Sequence, residues 1–161
     1  MKKIILAGLA FCAFAWAETI VIDGKAIPVF VDNTKLLQSE MEKCSNGDNR
    51  ACFGAGSLYD TGEGGIKQDL AKAAIYYEKA CNGGNFDGCI NLGGLYYAGD
   101  GVAKDINKAK KLYIKACDLG GSMGCGAAGN ISKDKNEALK YFKKACDLGD
   151  ENGCKAYNNI K

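Results

Sequence analysis

The chain has no histidine among its 161 residues and only one proline. Without an imidazole, no Ser-His-Asp or Cys-His arrangement can be assembled, and a common zinc ligand is missing. An excess of charge of one sign is also lacking, with 21 Lys and Arg against 19 Asp and Glu. A near-neutral chain makes no electrostatic case for nucleic acid or for an anionic membrane surface. The apolar run from Ile4 to Ala17 is 14 residues long, whereas a spanning helix needs about 20. No metal, cofactor, nucleic-acid partner or membrane span is therefore expected.

That apolar run has a different reading. Lys2 and Lys3 precede it, and Ala15-Trp16-Ala17 closes it with small residues at the two outer positions. This is the pattern of a secretory signal peptide spanning 1–17. Phe11 is too bulky for the position before a lipid-modified cysteine, so Cys12 is expected to leave with the signal. Cleavage after Ala17 removes two basic and no acidic residues, leaving 19 of each. The expected location is secreted or periplasmic. Residues 18–33 read as a separate segment. ETIVIDGKAIPVF holds two short strands around Asp23-Gly24, a hairpin turn signal, and Pro28 places its strand at an edge. Asp32 or Asn33 is placed to cap a helix beginning near Lys35.

The rest of the chain, 34–161, is organised by cysteine. Eight cysteines remain after Cys12, and an exported chain meets an oxidising compartment, so an even count reads as disulfides. Four segments share one spacing: CSNGDNRAC, CNGGNFDGC, CDLGGSMGC and CDLGDENGC. The repetition selects neighbour pairing, Cys44–Cys52, Cys81–Cys89, Cys117–Cys125 and Cys146–Cys154. On one continuous helix the two members would lie about 12 Å apart, yet a disulfide needs Cα atoms within about 7 Å. The helix must therefore end and reverse between them. Gly47, Gly84, Gly120 and Gly149 suit the left-handed position that ends a helix. Asp48, Asn85 and Asp150, the next residue in three copies, can cap the following helix, while Gly121 cannot. Loop-closure entropy gives about 2.6 kcal/mol per bridge, on the order of 10 kcal/mol for four.

The first cysteines recur at 44, 81, 117 and 146, intervals typical of helical arrays. The helix before each turn has one apolar face: Leu70, Ala73, Ala74, Tyr77 and Cys81, then Ile106, Ala109, Tyr113 and Cys117, then Ala138, Phe142 and Cys146. The helix after each turn places Cys89, Leu92, Gly93 and Tyr96 on one face, and its earlier copy uses Cys52, Ala55, Gly56 and Tyr59. Gly56, Gly93 and Gly129 mark close helix approaches, since glycine costs about 1 kcal/mol against alanine in a helix. Seven residues are missing between Cys125 and Cys146, as if LYYAGDG had been removed. A short, weak helix and a local defect are expected there. The predicted fold is all-α, a superhelical solenoid of disulfide-bridged helical hairpins with a short N-terminal β-hairpin.

The pattern C-x2-L-G-x2-Y-x2-G-x-G-V, strongest in CINLGGLYYAGDGVAKDINKAKKLYIKAC at 89–117, resembles the Sel-one-like repeat, a relative of the tetratricopeptide repeat. Cysteines eight apart behind a signal peptide are similar to the Helicobacter cysteine-rich protein (Hcp) family. The resemblance implies an α/α superhelix and an exported protein, and it carries the label β-lactamase, with weak binding or turnover of penicillin-like compounds. The residues do not supply that chemistry. One S-x-x-K occurs, Ser132 to Lys135, without S-D-N or K-T-G partners. Ser132 or Asp134 reads better as a cap of the next helix. No catalytic residue is assigned, and an enzyme is supported by resemblance alone.

What remains is surface. In tetratricopeptide-like arrays the helix carrying the Leu-Gly pair lines the concave side. Off its buried face lie Arg50, Phe53, Ser57 and Asp60, then Asp87, Ile90, Gly94 and Tyr97, with Met123 and Lys155 further on. Phe53, Ile90 and Tyr97 either contact a ligand or pack against the adjacent repeat. The expected function is an exported module binding a peptide, a cell-wall fragment or another exported protein. The alternative is a penicillin-binding protein with weak β-lactamase activity.

Overall fold

A computed structural model describes the strands at 18–22 and 25–29 and residues 32–161. The signal-peptide reading, Cys12 and the Asp23-Gly24 turn fall outside the described residues. Strand β1 (Glu18–Ile22) pairs antiparallel with β2 (Lys25–Val29), with Ile22 opposite Lys25 and Thr19 opposite Pro28. Among the described residues eight helices follow: α1 (Thr34–Ser45), α2 (Asn49–Thr61), α3 (Leu70–Asn82), α4 (Phe86–Ala98), α5 (Ile106–Asp118), α6 (Ser122–Ile131), α7 (Lys135–Asp147) and α8 (Glu151–Ile160). They form a solenoid in which each helix packs on the next. Successive even-numbered helices also touch, so α2, α4, α6 and α8 form the inner layer and the odd-numbered helices the outer one.

Each turn between paired helices follows from its nine residues. Gly47, Gly84, Gly120 and Gly149 have φ near +90°, a region other residues enter only under strain. The Gly47 N–H donates to the Cys44 carbonyl and the Asp48 N–H to the Lys43 carbonyl, both at 3.1 Å. This double bond pattern satisfies the orphan carbonyls of α1. Asp48 then starts α2, its Oδ1 accepting from the N–H of Arg50 at 2.9 Å and of Ala51 at 3.1 Å. One residue thus ends one helix and begins the next. Asn85 caps through the Gly88 N–H at 2.8 Å and Asp150 through the Asn152 N–H at 2.9 Å, while Gly121 makes no side-chain cap. The reversal brings all four cysteine pairs to Cα separations of 4.4–4.6 Å, and each forms a disulfide. At the start of α1, Asn33 stands at the cap position without a side-chain bond, and Asp32 Oδ1 takes the Thr34 N–H at 2.9 Å.

Packing between hairpins uses glycine against aromatic rings. A β-carbon on Gly56 would lie 2.6 Å from the Tyr77 ring, on Gly93 2.7 Å from Tyr113, and on Gly129 2.7 Å from Phe142. The close approaches read from the sequence are therefore each made by the outer helix of the next hairpin.

The seven missing residues come off in two places. α6 has 10 residues where α2 and α4 have 13, and the connection to α7 is only Ser132 to Asp134. One expectation fails here. The helical spacing puts Ile106 on the buried face of α5, but it is 45% exposed. Its counterpart Leu70 is covered by the loop after α4: Gly101 lies against Leu70, and Val102 packs on the cluster of Ala73, Ala74, Tyr77, Leu92 and Leu95. The loop after α6 that would cover Ile106 is the one that is shortened.

Candidate functional site on the inner face

The concave-face residues expected from the sequence do not converge on one pocket. Phe53 is half-buried, its ring 5.7 Å from that of Tyr77 and tilted by 34°. Ile90 is half-buried against Cys81, Cys89 and Ala116. Both are packing residues that contact the adjacent repeat, because the apolar rim of an inner helix meets the outer helix of the following hairpin before it meets solvent. Asp60 is also engaged, accepting from the Tyr77 hydroxyl at 2.9 Å. Burial, with a smaller contribution from Asp60, pushes the Tyr77 phenol well above its usual range. Ser57 and Asp87 are half-buried, and Arg50 is exposed. Tyr97 is the one aromatic of the set that faces solvent, 51% exposed, with Lys104 Nζ 5.9 Å from its ring centre.

An open cavity of about 340 Å³ lies further along the inner face, between α6 and α8. Its floor is Gly126, Ala127 and Ala156, and its walls include Met123, Asn130 and Asp150. The floor is made of small residues because α6, SMGCGAAGNI, carries little bulk. Met123 is 62% exposed. Asp150 spends Oδ1 on the cap of α8, and its Oδ2 faces Gly126, 3.4 Å from where a β-carbon would be. The site thus offers an apolar floor, one flexible thioether and a carboxylate oxygen at the rim. The sequence reading reached Met123 but missed the cavity. The available signal was the run of small residues in α6.

Ser132 sits elsewhere, at the C-terminal end of α6. Its Oγ donates to the Ala128 carbonyl at 2.7 Å, while Asp134 caps α7 through the Glu137 N–H at 2.8 Å. Of the two caps considered for α7, Asp134 is the one formed. Ser132, Asp134 and Lys135 border a shallow cleft of about 430 Å³ together with Ala138, Asn159 and Ile160. A serine whose proton is held by a main-chain carbonyl, in a chain without histidine, lacks an activating base of the Ser-His kind. Among the described residues, no group of three or more His, Cys, Asp or Glu side chains could hold a metal ion.

Three segments, 49–85, 87–121 and 122–150, match the Sel1 repeat, each spanning one inner helix and the outer helix that follows. The chain belongs to the Sel1 repeat family. The chain is similar to cytochrome c oxidase assembly factor 7 from Xenopus tropicalis, 37% identical over 97 residues, or 60% of this chain and 42% of that protein. It is also similar to Beta-lactamase HcpA of Helicobacter pylori, 46% identical over 43 residues, covering 27% of this chain and 17% of that one. The chain therefore spans less than half the length of these relatives. Among solved structures, Helicobacter pylori cysteine rich protein B superposes with a TM-score of 0.56 and 41% identity, covering 60% of this chain and 71% of that one. The Sel1 array here is thus of the cysteine-bridged Hcp type, as its eight-residue cysteine spacing implied.

Proposed function

We infer that this chain is an exported interaction module that binds a peptide or peptidoglycan-like ligand along its concave inner face. The observation that carries this reading is the α6–α8 cavity, whose small-residue floor leaves room for an extended chain between two inner helices. The lining suits such a ligand: apolar floor atoms for a side chain, Met123 to adapt to its shape, and Asp150 Oδ2 and Asn130 to meet amide groups. Export is supported by the four disulfides, which persist in oxidising compartments, and by likeness to Hcp proteins. Titration calorimetry of the oxidised chain with soluble muropeptides and with a panel of unstructured peptides tests the reading. One ligand class should bind, and Ala127→Glu should weaken it at least tenfold. No heat from either class, or an unchanged affinity in the variant, removes the proposal.

A second reading, penicillin binding with weak β-lactam hydrolysis, rests on the name of HcpA and on the 43 residues matched to it. Incubation of the purified chain with a chromogenic cephalosporin decides it. Colour development that exceeds buffer and scales with protein concentration would favour this reading over the first.

A further inference from the structure

The near-neutral net charge of the chain conceals a strong separation of charge between its layers. The outer helices α3, α5 and α7 carry ten lysines and four acidic residues, a net +6, while the inner helices α2, α4, α6 and α8 together carry −1. The N-cap aspartates Asp69, Asp105 and Asp134 at one edge of this outer layer are matched by Lys67, Lys104 and Lys133 in the same connections. The lysines stand in register from repeat to repeat. One row runs Lys79, Lys115, Lys144, and the next runs Ile75, Lys111, Lys140. Lys144 Nζ reaches the neighbouring outer helix at Asp118, 2.8 Å away, and Lys110 Nζ, outside these rows, reaches Glu137 at 2.6 Å. Lys79, Lys111, Lys115, Lys135 and Lys140 are exposed and make no ion pair among the described residues. Ile75, 54% exposed, is the apolar member of the second row.

We propose that the convex face of α3, α5 and α7 docks on an anionic lipid surface. Charge complementarity selects a partner rich in negative charge, and the residue type selects its kind. These three outer helices have ten lysines and no arginine. Arginine forks, which grip phosphates bidentately and favour nucleic-acid and protein interfaces, are absent from this face, and lysine is depleted from protein interfaces. A face of hydrated point charges on flexible stems instead suits diffuse attraction to many headgroups at once, each lysine strengthening binding about fivefold. The exposed Ile75 adds one apolar contact in the same plane. Bound in this way, the protein turns its concave groove away from the bilayer.

The oxidised chain is to be sedimented with vesicles of phosphatidylcholine alone and of phosphatidylcholine containing phosphatidylglycerol. Binding is expected only to the second and should fall as salt is raised. Lys111→Gln, Lys115→Gln and Lys140→Gln combined should weaken it about a hundredfold at unchanged melting temperature. Reversal of the same three to glutamate should abolish it. Equal binding to both vesicle types, binding to neither, or unchanged binding by the glutamine variant overturns the proposal. So does capture of an acidic protein or heparin by a chain that leaves anionic vesicles untouched.

Discussion

Gly93 lies so close to the ring of Tyr113 that a β-carbon there would sit 2.7 Å from Cε1, whereas one on the adjacent Gly94 would find only the Tyr113 hydroxyl at 4.0 Å. Two neighbouring glycines on α4 therefore have opposite roles. Gly93→Ala should gain about 1 kcal/mol of helix propensity and lose more to overpacking, which costs about 1–3 kcal/mol. Gly94→Ala should stabilise by about 0.5–1 kcal/mol. Urea unfolding of the two variants checks the pair. The account fails if both shift the midpoint in the same direction.

The four disulfides differ in exposure. Cys44, Cys52, Cys81, Cys89, Cys117 and Cys125 are buried, while Cys146 and Cys154 are half-buried. Under limiting dithiothreitol, Cys146 and Cys154 should be the first cysteines alkylated, and peptide mapping without reduction should find only neighbour pairs. A cross-repeat pair in the mapped protein would contradict the hairpin geometry.

α8 buries fully only Gly153, so the last hairpin depends on α7 and on its own bridge. A solenoid is held by contacts between neighbours. Replacing Cys146 and Cys154 together by serine should therefore raise hydrogen exchange in α7 and α8 while α2 to α4 keep their protection. Loss of protection along the whole array in one step would mean that the short α6 transmits stability as well as its longer counterparts do.

Ser132→Ala removes a hydroxyl that donates to the Ala128 carbonyl and costs about 0.5–1.5 kcal/mol of stability. Any β-lactam turnover by the purified chain should survive the change. Abolished turnover in a variant with native circular dichroism would place Ser132 in the chemistry.

Lys110 holds the Glu137 carboxyl below its ordinary range through a 2.6 Å bond between α5 and α7. A lowered carboxylate contributes stability that is fully present above the ordinary carboxylate range and lost as pH falls through the lowered value. Lys110→Met should therefore reduce the melting temperature at neutral pH, with the gap from the parent closing once Glu137 is protonated. A gap of the same size at acid and neutral pH would show that lost packing, not the charge pair, explains it.

The sequence by itself determined the turns. The helix ending at Gly84, the cap by Asn85 and the approach of Cys81 to Cys89 are settled within nine residues, by left-handed backbone and short-range hydrogen bonds, so spacing alone exposes them. The repeat interval and the glycine at Cys+4 carried the solenoid in the same way, because each copy states the rule again. Only the tertiary structure decided what the solvent sees. For Phe53 and Ile90 the sequence left open ligand contact or packing, and the next hairpin half-buries them, while Ile106, expected on a buried face, is exposed because the loop that would cover it is too short. The α6–α8 cavity and the lysine rows arise from several repeats at once, and a one-dimensional pattern does not specify which residues from different helices share a face. Exposure belongs to pairs of elements far apart in the chain, whereas a turn belongs to its own few residues.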